Sequence, residues 1–285
     1  RKMVVSGGNA LPRHAPPTIL VHSNNRAPRF SAIMTRALIT GSNGFIGSRL
    51  AQAALKQGWK VTCLVRKSSQ ISRLESLDVQ IHPGDVTDRE SVAEAICGHD
   101  IVFHLAGCLR ALHAEQFYRV NLEGVRNVVR ACAQQASPPI LVMASSLAAM
   151  GPSPDKRART ESDPPAPISE YGRSKLAGEY VARAWADLVP ISIVRPPIVF
   201  GAGDPASCAI FAPIARLGVH FVPSWEDHRV SLIHVEDLTN LLILVAQHGE
   251  RLTNCTADSP EAARGCYFAA CEHDPTYAEL GRMIG

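Results

Sequence analysis

The sequence has no apolar run approaching the ~18 residues that a helix needs to cross a bilayer, so no membrane span is expected. It has no Cys-x-x-Cys pair, and Cys266 with Cys271 lacks the close partner spacing of a zinc site, so no metal site is expected either. The eight cysteines lie scattered, several within strand or helix patterns, and read as reduced core residues, with a cytoplasmic location as the default. A net charge of +3 is too small to argue for a nucleic-acid partner. Acidic residues are missing from the start of the chain, where twelve Lys and Arg precede Glu75. An anionic ligand bound near that part would meet a favourable field.

What is present is enough apolar residue, 46% of 285, to bury a large core in one big domain or two modest ones. Residues 1–33 carry no acid and no periodicity, and little structure is expected there. Two readings stay open: a transit segment, or sequence upstream of a natural start at Met34. A first residue of Arg suggests a fragment, as does a tail that stops at Ile284-Gly285 where a helix is expected to begin.

From 36 onward strand and helix patterns alternate, which predicts a doubly wound parallel sheet covered on both faces. Strands are expected at 36–40, 60–65, 79–82, 101–104, 140–144 and 191–194. Helices are expected at 45–57, 89–97, 115–135 and 169–187. After Pro196-Pro197 the alternation loosens into a Gly- and Pro-rich lobe over 198–229. A strand at 230–234, a helix at 236–247 and a strand at 266–270 follow. The expected division is a dinucleotide-binding domain over 34–196 and a smaller substrate lobe over 197–285, interleaved with the last sheet strands.

Chemistry concentrates at the ends of these strands. Gly41, Gly44 and Gly47 follow the apolar run Ala37-Leu38-Ile39 and open a helix; such a turn offers unpaired N–H groups and Cβ-free backbone to a pyrophosphate. The spacing Gly-x-x-Gly-x-x-Gly is one residue wider in its first gap than the usual dinucleotide fingerprint. Arg66 and Lys67 close the second strand, where a carboxylate would select NAD, so NADP is the preferred cofactor and NAD the alternative. Asp85 could accept from an adenine amino group, and Asp88 suits a helix cap. Tyr171 and Lys175, four apart on a helix, share one face; a nearby ammonium would lower the phenol pKa toward neutrality. Ser145-Ser146 supplies a hydroxyl at the end of the fifth strand.

The conjunction of motifs resembles a known family. Thr40-Gly41-x-x-Gly44-Phe45-Ile46-Gly47, Gly84-Asp85-Val86-Thr87-Asp88 and His104-Leu105-Ala106-Gly107 come first. Tyr118-Arg119-Val120-Asn121-Leu122-Glu123-Gly124, Ser145-Ser146-x-x-x-x-Gly151 and Tyr171-x-x-x-Lys175 follow. Arg195-Pro196-x-x-Val199-Phe200-Gly201 and Ile233-His234-Val235-Glu236-Asp237 complete the series. Their order and spacing are similar to those of the extended short-chain dehydrogenase/reductases, the NAD(P)-dependent epimerase/dehydratase family, over roughly 35–285. The resemblance implies a Rossmann-type fold with Tyr171 as general acid/base and Lys175 lowering its pKa and holding the nicotinamide ribose. It implies Ser146 orienting the reacting oxygen and Asn121 supporting the proton relay. Gly41, Gly44, Phe45, Ile46 and Gly47 match the pyrophosphate turn, Asp85 and Val86 the adenine pocket, Leu105 and Ala106 the ribose wall, and Ile198 the backbone beside the carboxamide. The implied step is hydride transfer between nicotinamide and a small-molecule ketone or carbinol, with a homodimer as a candidate assembly.

Sugar-nucleotide members tend to carry Asn and Arg where this chain has Ile198 and Val230, although Arg229 is one position away. The pattern leans to members like dihydroflavonol reductases and hydroxysteroid dehydrogenases. A nucleotide-sugar epimerase or dehydratase with tightly bound NAD is the alternative, and a non-catalytic NADP-binding sensor the second.

Overall fold

The computed structural model describes residues 3–5, 34–153, 157–204, 214, 216, 229–255, 259–271 and 274–284. Its centre is β2 (Arg36–Thr40), after β1 (Met3–Val5) within the leader. Then come α1 (Phe45–Lys56), β3 (Lys60–Val65), β4 (Gln80–Pro83), α2 (Arg89–Ile96), β5 (Ile101–His104), α3 (Ala114–Tyr118), α4 (Gly124–Ala133) and β6 (Ile140–Ala144). The second half carries α5 (Glu170–Arg183), β7 (Ile191–Arg195), β8 (Ile198–Phe200), β9 (Leu232–His234), α6 (Val235–His248), β10 (Cys266–Cys271) and α7 (Tyr277–Ile284).

Eight strands form one parallel sheet in the order β1-β10-β7-β6-β5-β2-β3-β4. The central strands β2, β3, β5, β6 and β7 are buried on both faces, which is why their sequences read as largely apolar runs, whereas the edge strand β4 is mostly exposed. Alternate residues feed two cores. Ala37, Ile39, Phe103 and Val142 face Leu50 and Ala54 of α1 and Leu241, Leu242 and Val245 of α6. Leu38, Val102, Leu141 and Met143 face Val92 of α2, Val125 and Val129 of α4 and Ala182 of α5. The order runs one way from β2 to β3 and the other way to β5, a switch point that leaves a crevice beyond the strands' carboxyl ends.

Four expectations need correction. The helix expected over 115–135 is three pieces, with a π turn at Arg119–Glu123 between α3 and α4. The strand expected at 230–234 does not join the main sheet; it is β9 and pairs in parallel with β8, a strand too short to show a period and set off from β7 by Pro196-Pro197. The helix expected to begin at Ile284 is α7, which ends there; Thr276 and Glu279 open it reciprocally, each backbone N–H bonded to the other's side chain at 2.8 and 3.1 Å. Met3–Val5 pair with Ala269, Ala270 and Cys271, within a leader for which little structure is expected. The rest of 1–33 and most of the lobe at 205–228 lie outside the described residues. No helix among the described residues is long and apolar enough to cross a membrane, and none of their His, Cys, Asp and Glu side chains form a metal-binding group of three.

Candidate active site

The glycine turn is shaped by close backbone contact. Gly41 has φ +70°, and a Cβ there would lie 2.7 Å from the Ala106 nitrogen. At Gly47 a Cβ would lie 2.2 Å from the Gly41 carbonyl oxygen, so only glycine lets α1 start this close to the turn. Gly44 donates its N–H to Gly41 at 3.1 Å and caps α1 without any side-chain hydrogen bond, leaving the first-turn amides without a capping partner. Phe45 opens the helix and Ile46 packs on the core. This Cβ-free cradle at a helix N-terminus fits a pyrophosphate.

Beside it, Leu105 N–H donates to the Thr40 carbonyl and Ala106 N–H to Thr40 Oγ1, both at 3.2 Å. Thr40 Oγ1 also lies 2.9 Å from His104 Nδ1. His104 is held neutral, pushed down to about 3 first by burial and then by the Lys175 charge.

Farther along the crevice, Arg66 and Lys67 follow β3 as exposed cations without an ion pair to another described residue. Val86 is buried under Gly124, where a Cβ would lie 3.1 Å from Val86 Cγ2. Asp85 is less free than expected for an adenine acceptor, since its Oδ1 accepts from both Thr87 N–H and Thr87 Oγ1 at 2.9 Å. Asp88 caps α2, accepting from Glu90 N–H at 3.1 Å.

The reactive side chains meet where α5 rests on the short turn Leu147–Ala149. A Cβ on Gly172 would lie 2.3 Å from the Ala148 carbonyl oxygen, so Gly172 is what lets the helix sit there. Ser146 begins that turn, its Oγ accepting from Ala148 N–H at 3.1 Å, and its hydroxyl lies close enough to the Tyr171 phenol to act on that group's ionisation. The Tyr171 ring also packs on Phe117, with centroids 6.1 Å apart. Lys175, one turn on, is 6% exposed and donates from Nζ to the Ala144 carbonyl at 2.7 Å. Asn121 occupies the π turn; its Oδ1 accepts from Cys108 N–H at 2.8 Å, and its Nδ2 donates to Cys108 O at 3.0 Å and to Ser174 Oγ at 2.9 Å. Gly107 joins the two: a Cβ there would lie 3.3 Å from Asn121 Oδ1 and 3.8 Å from Lys175 Nζ. Ser146, Tyr171, Lys175 and Asn121 are thus gathered at the carboxyl end of the sheet. Ile198 begins β8 and is 47% exposed, while Arg66 and Lys67 stand apart beyond β3.

The electrostatics correct one expectation. The Tyr171 phenol is not lowered toward neutrality but raised above its ordinary value, by burial first, with the Ser146 hydroxyl opposing. Lys175 is not among the groups acting on it; its ammonium engages Ala144. Lys175 itself is pushed from 10.5 to about 8 by burial, and Glu179 opposes that fall. The sequence reading passed over Glu179, although Lys175-x-x-x-Glu179 repeats the helical spacing that drew attention to Tyr171, and it gave no role to Arg195, quoted there within a motif. It also gave no role to His104, although His104 lay inside a motif already recognised.

Sheet, glycine turn and side-chain cluster together define a Rossmann-type nucleotide-binding protein. The chain belongs to the NAD dependent epimerase/dehydratase family, whose model matches residues 37–255. It is 35% identical over 205 residues to a ceramide reductase of Caulobacter vibrioides, a match covering 72% of this chain and 59% of that protein. Over 191 residues it is 34% identical to dTDP-6-deoxy-L-talose 4-dehydrogenase (NAD(P)(+)) of Kitasatospora kifunensis, covering 64% of this chain and 58% of that one. The chain therefore spans somewhat more than half the length of these two relatives. Among solved structures, the UDP-glucose 4-epimerase of Thermus thermophilus in complex with NAD aligns at 25% identity with a TM-score of 0.72, covering 88% of this chain and 82% of the other. These relatives are named as a reductase and a dehydrogenase, and the family to which this chain belongs is NAD dependent.

Proposed function

We propose that the protein is an NADP-preferring oxidoreductase that interconverts a ketone and a carbinol, with Tyr171 exchanging the proton at the reacting oxygen. The observation that carries this reading is the gathering of the Tyr171 phenol and the Ser146 hydroxyl beside a buried Lys175. A nicotinamide cofactor, when bound, supplies or accepts the hydride. Tyr171 and Ser146 hold the substrate oxygen between two hydroxyls, and the raised phenol stays protonated at neutral pH, ready to donate during reduction. Lys175 places a charge beneath the cofactor ribose, and Asn121 fixes the Cys108 backbone beside it. The glycine turn takes the pyrophosphate, with Asp85, Val86, Leu105 and Ala106 along the adenosine side and Ile198 at the carboxamide. Arg66 and Lys67, exposed and without an ion pair to another described residue, are suited to a 2′-phosphate. Residues 197–285 carry the substrate side and also return α6 and β10 to the main sheet.

Support for a ketone over a sugar nucleotide comes from Arg229, the residue best placed to replace the missing diphosphate-binding arginine. Its Nη1 donates to the Asp274 carbonyl at 2.8 Å, which commits it to the C-terminal segment. The ceramide reductase relative points the same way. A nucleotide-sugar epimerase using NAD is the second reading, favoured by the UDP-glucose 4-epimerase neighbour. A panel of ketones, alcohols and UDP-sugars followed at the nicotinamide absorbance, with NADPH and NADH in parallel, separates them. NADPH consumption with a ketone is the expected result. Sugar interconversion without net cofactor turnover would replace the first reading by the second.

A further inference from the structure

Three charged side chains are buried together beneath α5: Lys175 at 6% exposure, Glu179 at 2% and Arg195 at 5%. Arg195, the last residue of β7, grips the Glu179 carboxylate with both edges, Nε to Oε1 at 3.0 Å and Nη2 to Oε2 at 2.6 Å. Its guanidinium also lies 5.8 Å from the centre of the Phe268 ring. Taking two such charges out of water offsets most of their attraction, so a buried pair of this kind is poor evidence for stabilisation. Its position suggests another use. Glu179 stands four residues after Lys175, one helical turn along the same face of α5.

We propose that Glu179 is a positioning residue for Lys175, its carboxylate aimed by Arg195 to serve as the shared counter-charge that keeps the buried Lys175 ammonium protonated at neutral pH. This rests on the proposed role of Lys175. The other groups around Lys175 carry no negative charge. His104, from β5, is a neutral imidazole; Asn121, from the π turn, is an amide; Ala144, from β6, offers only a carbonyl. Tyr171, on α5, is a protonated phenol. Glu179 is the anion among the described residues that acts on the ammonium, and it acts against the burial that pulls Lys175 down. On the far side of the pair stand Cys266, whose thiol is raised by burial, and Glu161, whose carboxylate accepts from Phe268 N–H at 2.9 Å. Glu161 adds a further favourable charge for Arg195, while the Cys266 thiol is neutral packing. Without Glu179, two buried cations would be left with no charge between them.

The sign follows directly. A neighbouring carboxylate favours the protonated amine, so removing it moves Lys175 titration to lower pH. Glu179→Gln keeps the volume and deletes the charge. In the full chain, the Lys175 side-chain carbon signal, assigned by its loss in Lys175→Met, is followed by NMR against pH, and NADPH affinity is followed in parallel by fluorescence. The midpoint should fall by about one unit or more. NADPH affinity should be weaker than wild type at pH 7.5 and recover at pH 6. A folded Glu179→Gln with an unmoved midpoint would overturn the proposal. Because that variant takes the bidentate carboxylate away from the buried Arg195, Glu179→Gln/Arg195→Met is measured as well. It should fold and show a smaller fall of the same sign, whereas an unchanged or higher midpoint in it, or collapse of both variants, assigns the pair to folding and overturns the proposal. The titration needs no substrate, so a protein that reduces no ketone but shows the shift would refute the proposed reaction and leave this inference standing.

Discussion

The two ends of the candidate site are built on different principles. The pyrophosphate end is backbone: Gly41, Gly44 and Gly47 work by lacking a side chain, and the cations nearest the adenosine side, Arg66 and Lys67, are exposed. The Tyr171 end is built of side chains, where Ser146, Asn121, Lys175 and Glu179 hold fixed partners and burial shifts the titration of Tyr171 and Lys175. The first end can be read from residue identity alone. The second depends on what the fold packs around each group.

Substitutions should separate the ends. The largest effect is expected from Tyr171→Phe, which keeps the ring packed on Phe117 and removes only the hydroxyl. Turnover should fall by ~10²–10⁴-fold with NADPH affinity little changed. Near wild-type turnover would make Tyr171 a helix residue only.

Next is acid lability from His104, whose pKa in the folded protein, about 3, lies below the ordinary 6.5. A group depressed on folding gives stability that is present above the ordinary value and lost as pH falls toward the folded one. Going from pH 7 to pH 4 should therefore cost ~3 kcal/mol on this account. Denaturant titrations at both pH values check this, and His104→Gln should lose much of the difference. At the other end, Gly47→Ala forces a Cβ against the Gly41 carbonyl and should cost ~1–3 kcal/mol of stability together with NADPH affinity. A Gly47→Ala protein with wild-type melting temperature and affinity would remove the argument for the turn. The smallest effect is expected from Arg66→Asp. It should weaken NADPH relative to NADH by roughly tenfold or more and leave the fold intact. Tighter NADH than NADPH binding in the wild type would overturn the cofactor preference.

The same contrast explains what could be read beforehand. Strands β2, β3, β5 and β6 were legible to the residue because both faces are buried and their apolar runs break off at Gly41, Arg66, His104 and Ser145. The glycine turn and the Tyr171–Lys175 spacing were legible for similar reasons, since local geometry demands those residues. The π turn at Arg119–Glu123 was not, because it is a single turn inside a helical stretch and Arg119-Val120-Asn121-Leu122-Glu123 carries no Gly or Pro to mark it. The raised phenol of Tyr171 was not either, since spacing places a lysine on the same helix face but says nothing of the carbonyl that takes its ammonium. Glu179 and Arg195 are neighbours across 16 residues of chain, and only the packing of α5 on β7 joins them.

The central claim is a proton donor held neutral by burial beside a lysine that loses its charge at about 8. The most direct test is the pH dependence of kcat/KM for reduction of a ketone accepted in the substrate panel, with saturating NADPH. The account predicts a rate that is level near neutrality and falls as pH rises through about 8, because Lys175 discharges while Tyr171 remains protonated. A reduction rate that rises steadily from pH 7 to 9 would contradict it.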